Sequence, residues 1–129
     1  MSTTDNQRLR PHPDDRFGNS ATLVNLRAVA AALRSERNTG EGGHRQETVF
    51  KQGHLTVALF VFDRFSHLPE HVAEGIVTMH VLKGWMKISV GDVEHTLKAG
   101  QILIVNSGIR HALKAEEESE VLVGVYLDS

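Results

Sequence analysis

The 129-residue sequence predicts an all-β barrel preceded by a single amphipathic helix. Two patterns carry this expectation. From Glu47 onward, β-branched and other apolar residues alternate at period two and glycines punctuate the runs, as in a barrel or sandwich. Ahead of them Leu26, Val29, Ala30 and Leu33 fall at i, i+3, i+4 and i+7, one stripe of a helix. With 40% hydrophobic and 23% charged residues the chain belongs with globular proteins, and its length suits one domain with its own core.

Taken in order, residues 1 to 19 are polar, Pro11 and Pro13 flank His12, and the segment reads as a flexible arm with little to bury. Residues 20 to 45 read as helix and linker. Ser20 is the candidate N-cap, Arg34 and Arg37 suit the last turn, and the breakers from Asn38 to Gly43 end the helix. Residues 46 to 129 form the barrel. About eight strands are expected, near 46–51, 54–62, 76–83, 85–90, 93–97, 102–105, 111–115 and 120–127. Glycines at Gln52-Gly53, Lys83-Gly84 and Gly91-Asp92 supply the turns between strand runs.

A formal net charge of −2 gives no field that would draw the chain to phosphate backbones or anionic lipid. Nucleic acid and membrane are not expected partners. The sequence holds no cysteine, so disulfides, zinc ribbons and thiol nucleophiles are excluded and any catalysis falls to His, carboxylates or a metal. The first twenty residues carry Asp5, Asp14 and Asp15 and no apolar segment, and the run from Ala21 to Leu33 is too short to span a bilayer. A cytoplasmic protein is the expectation.

Two stretches carry a family resemblance: HLPEHVAEGIVTMHVLKG from His67 to Gly84, and GQILIVNSGIRHALKA from Gly100 to Ala115. They resemble the two motifs of the cupin family. In the first motif His71 and Gly84 fall on the family's first His and final glycine, while Phe65, Ala73 and Val77 replace the opening glycine, the second His and the glutamate. In the second motif Gly100, Gly108 and His111 match, and Asn106 and Ala115 replace the proline and the asparagine. The resemblance covers about residues 46 to 127. It implies a cupin-type double-stranded β-helix, a jelly-roll-like barrel with alternate side chains inward.

In metal-binding cupins the motif histidines and glutamate hold a divalent transition metal inside the barrel. For this chain the resemblance implies His71 and His111 as the metal positions, for Zn, Fe, Ni or Mn. Two imidazoles form an incomplete shell, since metal sites use at least three protein ligands. His80 is a further candidate, although regular pleating from an inward Val77 puts it on the other face unless a bulge intervenes. His67, Glu70 and Glu74 are loop candidates. Without a metal, His71 and His111 line the pocket and hydrogen-bond to each other, water or a ligand. For His80 that alternative is a half-exposed position at a subunit contact.

Val77, Met79, Val81, Ile88, Val90, Leu103 and Val105 read as barrel interior, a largely apolar pocket with two imidazoles at one end. Three functions follow: a small-molecule-binding module, with or without a metal; a metal-dependent cupin enzyme of the dioxygenase or isomerase type; and an interaction protein that works mainly as a homodimer scaffold. A homodimer is expected, because the helix and the apolar run from Leu55 to Phe62 offer more surface than one barrel covers. Glu116 to Glu118 and Glu120 read as a solvated turn.

Overall fold

The computed structural model describes residues 20–36 and 42–128, so the expected arm over 1–19 lies outside the described residues. Helix α1 runs over Leu26–Ser35. Its cap is Asn25 and not Ser20: the Asn25 side-chain oxygen accepts a hydrogen bond from the Ala28 backbone N–H at 3.1 Å, and Ser20 precedes the helix by more than a turn. Arg34 stands in the last turn and Glu36 ends the helix; Arg37 is outside the described residues.

Nine strands follow: β1 (His44–Gln52), β2 (Leu55–Phe62), β3 (His67–His71), β4 (Gly75–Lys83), β5 (Trp85–Val90), β6 (Val93–Lys98), β7 (Ile102–Val105), β8 (His111–Ala115) and β9 (Ser119–Leu127). The strand beyond the eight expected is β3. His-Leu-Pro-Glu-His has one apolar alternation and a proline, a pattern with no strand signal of its own, and pairing to β8 is what extends it. β1 begins at His44, two residues ahead of the expected barrel start.

The strands form two antiparallel sheets, ordered β1-β2-β9-β4-β7 and β3-β8-β5-β6. Their inner faces bury Phe60, Phe62, Met79, Val81, Met86 and Ile88 in one cluster. The opposite face of β1 and β2 carries a second cluster, in which Val49, Leu59 and Val61 pack under Ala30 and Leu33 of α1. β2 is therefore buried on both faces, which explains why its apolar run is continuous rather than alternating. This also corrects the surface expected for a dimer. From Ala58 to Phe62 the run is covered within the chain, Ala58, Phe60 and Phe62 by the barrel and Leu59 and Val61 by the helix, while Leu55 at its start is exposed. Burying Leu33 alone contributes about 1.5–3 kcal/mol.

Arg34 pins the helix to the turn before β9 and to the start of that strand, with Nη1 at 2.5 Å from Glu118 and Nη2 at 2.7 Å from Glu120. Glu118 and Glu120 are thus not merely solvated. At the β4–β5 turn Gly84 has φ +80°, and a Cβ there would run into the Glu118 carbonyl and Ser119 Oγ, so only glycine fits. The position of the motif's opening glycine is different. Phe65 keeps the backbone a glycine would adopt, at φ 66°, the one positive-φ residue other than glycine among those described. That conformation costs a non-glycine residue about 1–2 kcal/mol. Its ring lies exposed beneath Arg64, whose guanidinium carbon is 4.6 Å from the ring centroid, and near Lys114 Nζ at 5.9 Å.

Candidate functional site

His71 closes β3 and His111 opens β8, and the two are direct partners in the β3–β8 register. A register irregularity between Leu68 and His71 sets this pairing. The rings meet edge to face, with centroids 4.2 Å apart and planes inclined by 68°. Each ring is oriented by its own strand end. His71 Nδ1 lies 2.9 Å from the Pro69 carbonyl oxygen and His111 Nδ1 lies 3.0 Å from that of Ile109. A carbonyl can only accept, so each Nδ1 donates, and in the neutral form of either ring Nε2 is the nitrogen that keeps the lone pair. His111 is 2% exposed whereas His71 is open to solvent. Burial pushes the His111 pKa below the ordinary 6.5; the hydrogen bond to Ile109 opposes this and the adjacent His71 adds to it.

Beside the pair the barrel interior holds a cavity of about 220 Å³ with His71 among its lining residues. Its apolar walls come from five strands: Ala58 and Phe60 of β2, Leu68 of β3, Val77 and Met79 of β4, Leu113 of β8, and Val123 and Val125 of β9. Ala73 and Val77, which stand where the motif has its second His and its glutamate, both line it. Small apolar side chains thus occupy the space that two metal-ligand positions would fill.

His80 is on the other side of the sheet. Val77, Met79 and Val81 face the barrel without interruption, the register shift in β4 comes only after Val81, and His80 stands between Ile102 and Leu122 with its ring turned outward. This corrects its candidacy as a third ligand, because it cannot reach the pair through the sheet. His67 and Glu70 lie exposed on β3 and not in a loop, Glu70 Oε1 lies 3.8 Å from Arg110, and Glu74 is exposed. Among the described residues no three His, Cys, Asp or Glu side chains are grouped as a metal ion would require.

Sequence reasoning missed the polar wall. Gln46 and Thr48 of β1 and Thr56 of β2 line the cavity, and His44 at the head of β1 is buried with its ring stacked on Phe60 at 5.6 Å. The signal was present as the period-two series His44, Gln46, Thr48. Because it is polar on the face that turns inward, a search for apolar alternation passes over it.

The family model for the cupin domain matches residues 64–126. No curated protein matches the chain. Among solved structures, a conserved protein of unknown function from Streptococcus pyogenes is 20% identical, with 86% of this chain and 91% of that one covered at a TM-score of 0.69. A cupin superfamily protein from Desulfitobacterium hafniense is 17% identical, with 88% and 96% covered and a TM-score of 0.68. KdgF from a Halomonas species is 18% identical, with 74% and 91% covered and a TM-score of 0.66. At such identities the likeness speaks for the fold. Two facing antiparallel sheets, the paired motif histidines and the matched segment agree, and the chain is a small cupin-domain protein.

Proposed function

We propose that the protein binds a small molecule in the barrel cavity and does so without a resident metal. The cavity itself carries this reading: a largely apolar recess with a few polar groups at its edge is the usual form of a small-molecule site. The histidine pair is oriented as metal-bound histidines are, each Nδ1 tied to a carbonyl. Yet the donor set is short. Two imidazoles stand where catalytic metal sites use three protein ligands, and no third donor joins them among the described residues.

Two measurements test this. Nitrogen-15 NMR with a fragment set spanning acids, amines and uncharged molecules is expected to shift the amides of Ala58, Met79 and Val125, and an Ala58→Phe variant to lose the effect. Silence at those amides across the set removes the reading. Elemental analysis is expected to find metal well below one per chain. Stoichiometric Zn, Fe, Ni or Mn that is lost in both His71→Ala and His111→Ala would put a metal-dependent enzyme of the dioxygenase or isomerase type in its place.

The expected homodimer keeps its place on a different surface. Ile76, Ile102, Ile104 and Tyr126 lie exposed on the outer face of β4, β7 and β9, and β7 ends its sheet with one edge unpaired among the described residues. An apolar face beside an open strand edge is complementary to itself about a two-fold axis, so the occupant is a second copy of the chain. His80 then sits at the contact. Sedimentation is expected to show a dimer at micromolar concentration and a monomer for Ile104→Lys; a monomeric parent protein defeats the assignment.

A further inference from the structure

The walls of the cavity restrict the charge of what it can hold. No Lys, Arg, Asp or Glu lines it, and His111, behind His71, is disfavoured as a cation by its burial. A buried ionic group needs a partner of opposite charge, and apart from His71, whose Nδ1 already donates to the Pro69 carbonyl, no lining side chain can carry one. The other polar groups are an amide and two hydroxyls, which carry no charge. Gln46 Oε1 already accepts from His44 Nε2 at 3.1 Å, which leaves the Gln46 amide nitrogen as a free donor. The Thr48 and Thr56 hydroxyls have no protein partner among the described residues.

Size sets the second limit. An apolar cavity of about 150 Å³ accommodates a benzene ring. The 220 Å³ here leaves room for one ring with a short substituent. From these observations we infer that the ligand is an uncharged molecule of one substituted ring, its body against Phe60, Met79 and Val125 and its polar edge toward Gln46, Thr48 and Thr56. Aromatic amides, alcohols and ketones belong to this class, while ring carboxylates and amines do not. The inference rests on the cavity being the ligand site.

Benzamide, benzoate and benzylammonium share a ring and differ in charge, so they separate the two claims. Titrations at about pH 7, where the two ions are fully charged, follow the amides of Thr56, Ala58, Met79 and Val125 by nitrogen-15 NMR. Benzamide is expected to bind, with the two ions at least about tenfold weaker. Equal or tighter binding of either ion overturns the neutral class and leaves the cavity reading standing. Silence from all three overturns both. In the near-isosteric Thr48→Val/Thr56→Val variant, toluene binding is expected to persist while benzamide binding falls by about fivefold. Undiminished benzamide binding in that variant overturns the assignment of the polar edge.

Discussion

The outer face of the five-stranded sheet carries apolar residues on both of its halves, but the two halves meet different fates. On β1 and β2, α1 covers Val49, Leu59 and Val61, and the latter two are 0% exposed. On β7 and the end of β9, Ile102, Ile104 and Tyr126 are 54%, 60% and 61% exposed. Both halves present branched aliphatic side chains. What differs is the reach of one ten-residue helix, held over β2 by its Leu33 stripe and by the Arg34 pairs with Glu118 and Glu120. An apolar residue on a strand therefore says that something lies against it, without saying whether the cover comes from the same chain.

The sharpest way to break this comparison is to shorten one residue on each side. Leu59→Ala is expected to destabilise the fold by about 3 kcal/mol, as truncations in filled cores do. Ile104→Ala, followed by denaturant melts at low protein concentration, should stay within about 0.5 kcal/mol of the parent. Equal losses would mean that the open half is packed in the monomer. Phe65 is a third case, exposed because its backbone holds it there. Phe65→Gly is expected to raise stability by about 0.5–1 kcal/mol, since relief of the left-handed strain exceeds the lost contacts with Arg64 and Lys114. A melt showing a lower midpoint would assign the ring a packing role.

Burial that stabilises Leu59 acts in the opposite sense on a titratable group. His111 is neutral in both folded and unfolded chains above its ordinary pKa of 6.5, and the depressed folded value means the unfolded chain takes up the proton first as pH falls. Its contribution is therefore present above pH 6.5 and lost progressively below it. Thermal melts across this range should show a shallower acid loss for His111→Asn than for the parent. Parallel profiles would assign the acid sensitivity to other groups.

Much of the architecture was legible because period and punctuation report directly on which faces are buried. The α1 stripe, the inward Val77–Met79–Val81 series and the Gly84 turn all follow from local rules, and each occupies the place those rules give it. β3 was not legible, since its extension comes from pairing with β8 more than forty residues away and not from its own residues. The histidine pair came from motif positions, while its geometry depends on the β3–β8 register. Gln46, Thr48 and Thr56 escaped notice because the cavity they line exists only once β1, β2 and β9 have come together. Contacts between distant strands leave no trace in any short window of sequence.

The sheet order has a consequence for how the chain is made. β2, with no charged residue in Leu55–Phe62, sits between β1 and β9, and its second partner spans Ser119–Leu127. At a synthesis rate of about 5–20 residues per second, a nascent chain exposes that strand's open edge for several seconds before β9 emerges. An uncharged β-rich segment of this kind is an aggregation hazard while it waits. β1 and α1, both made before or with β2, are positioned to shield its other edge and one of its faces during that interval. The helix that covers half the sheet in the finished protein is thereby also an early guard for its most vulnerable strand.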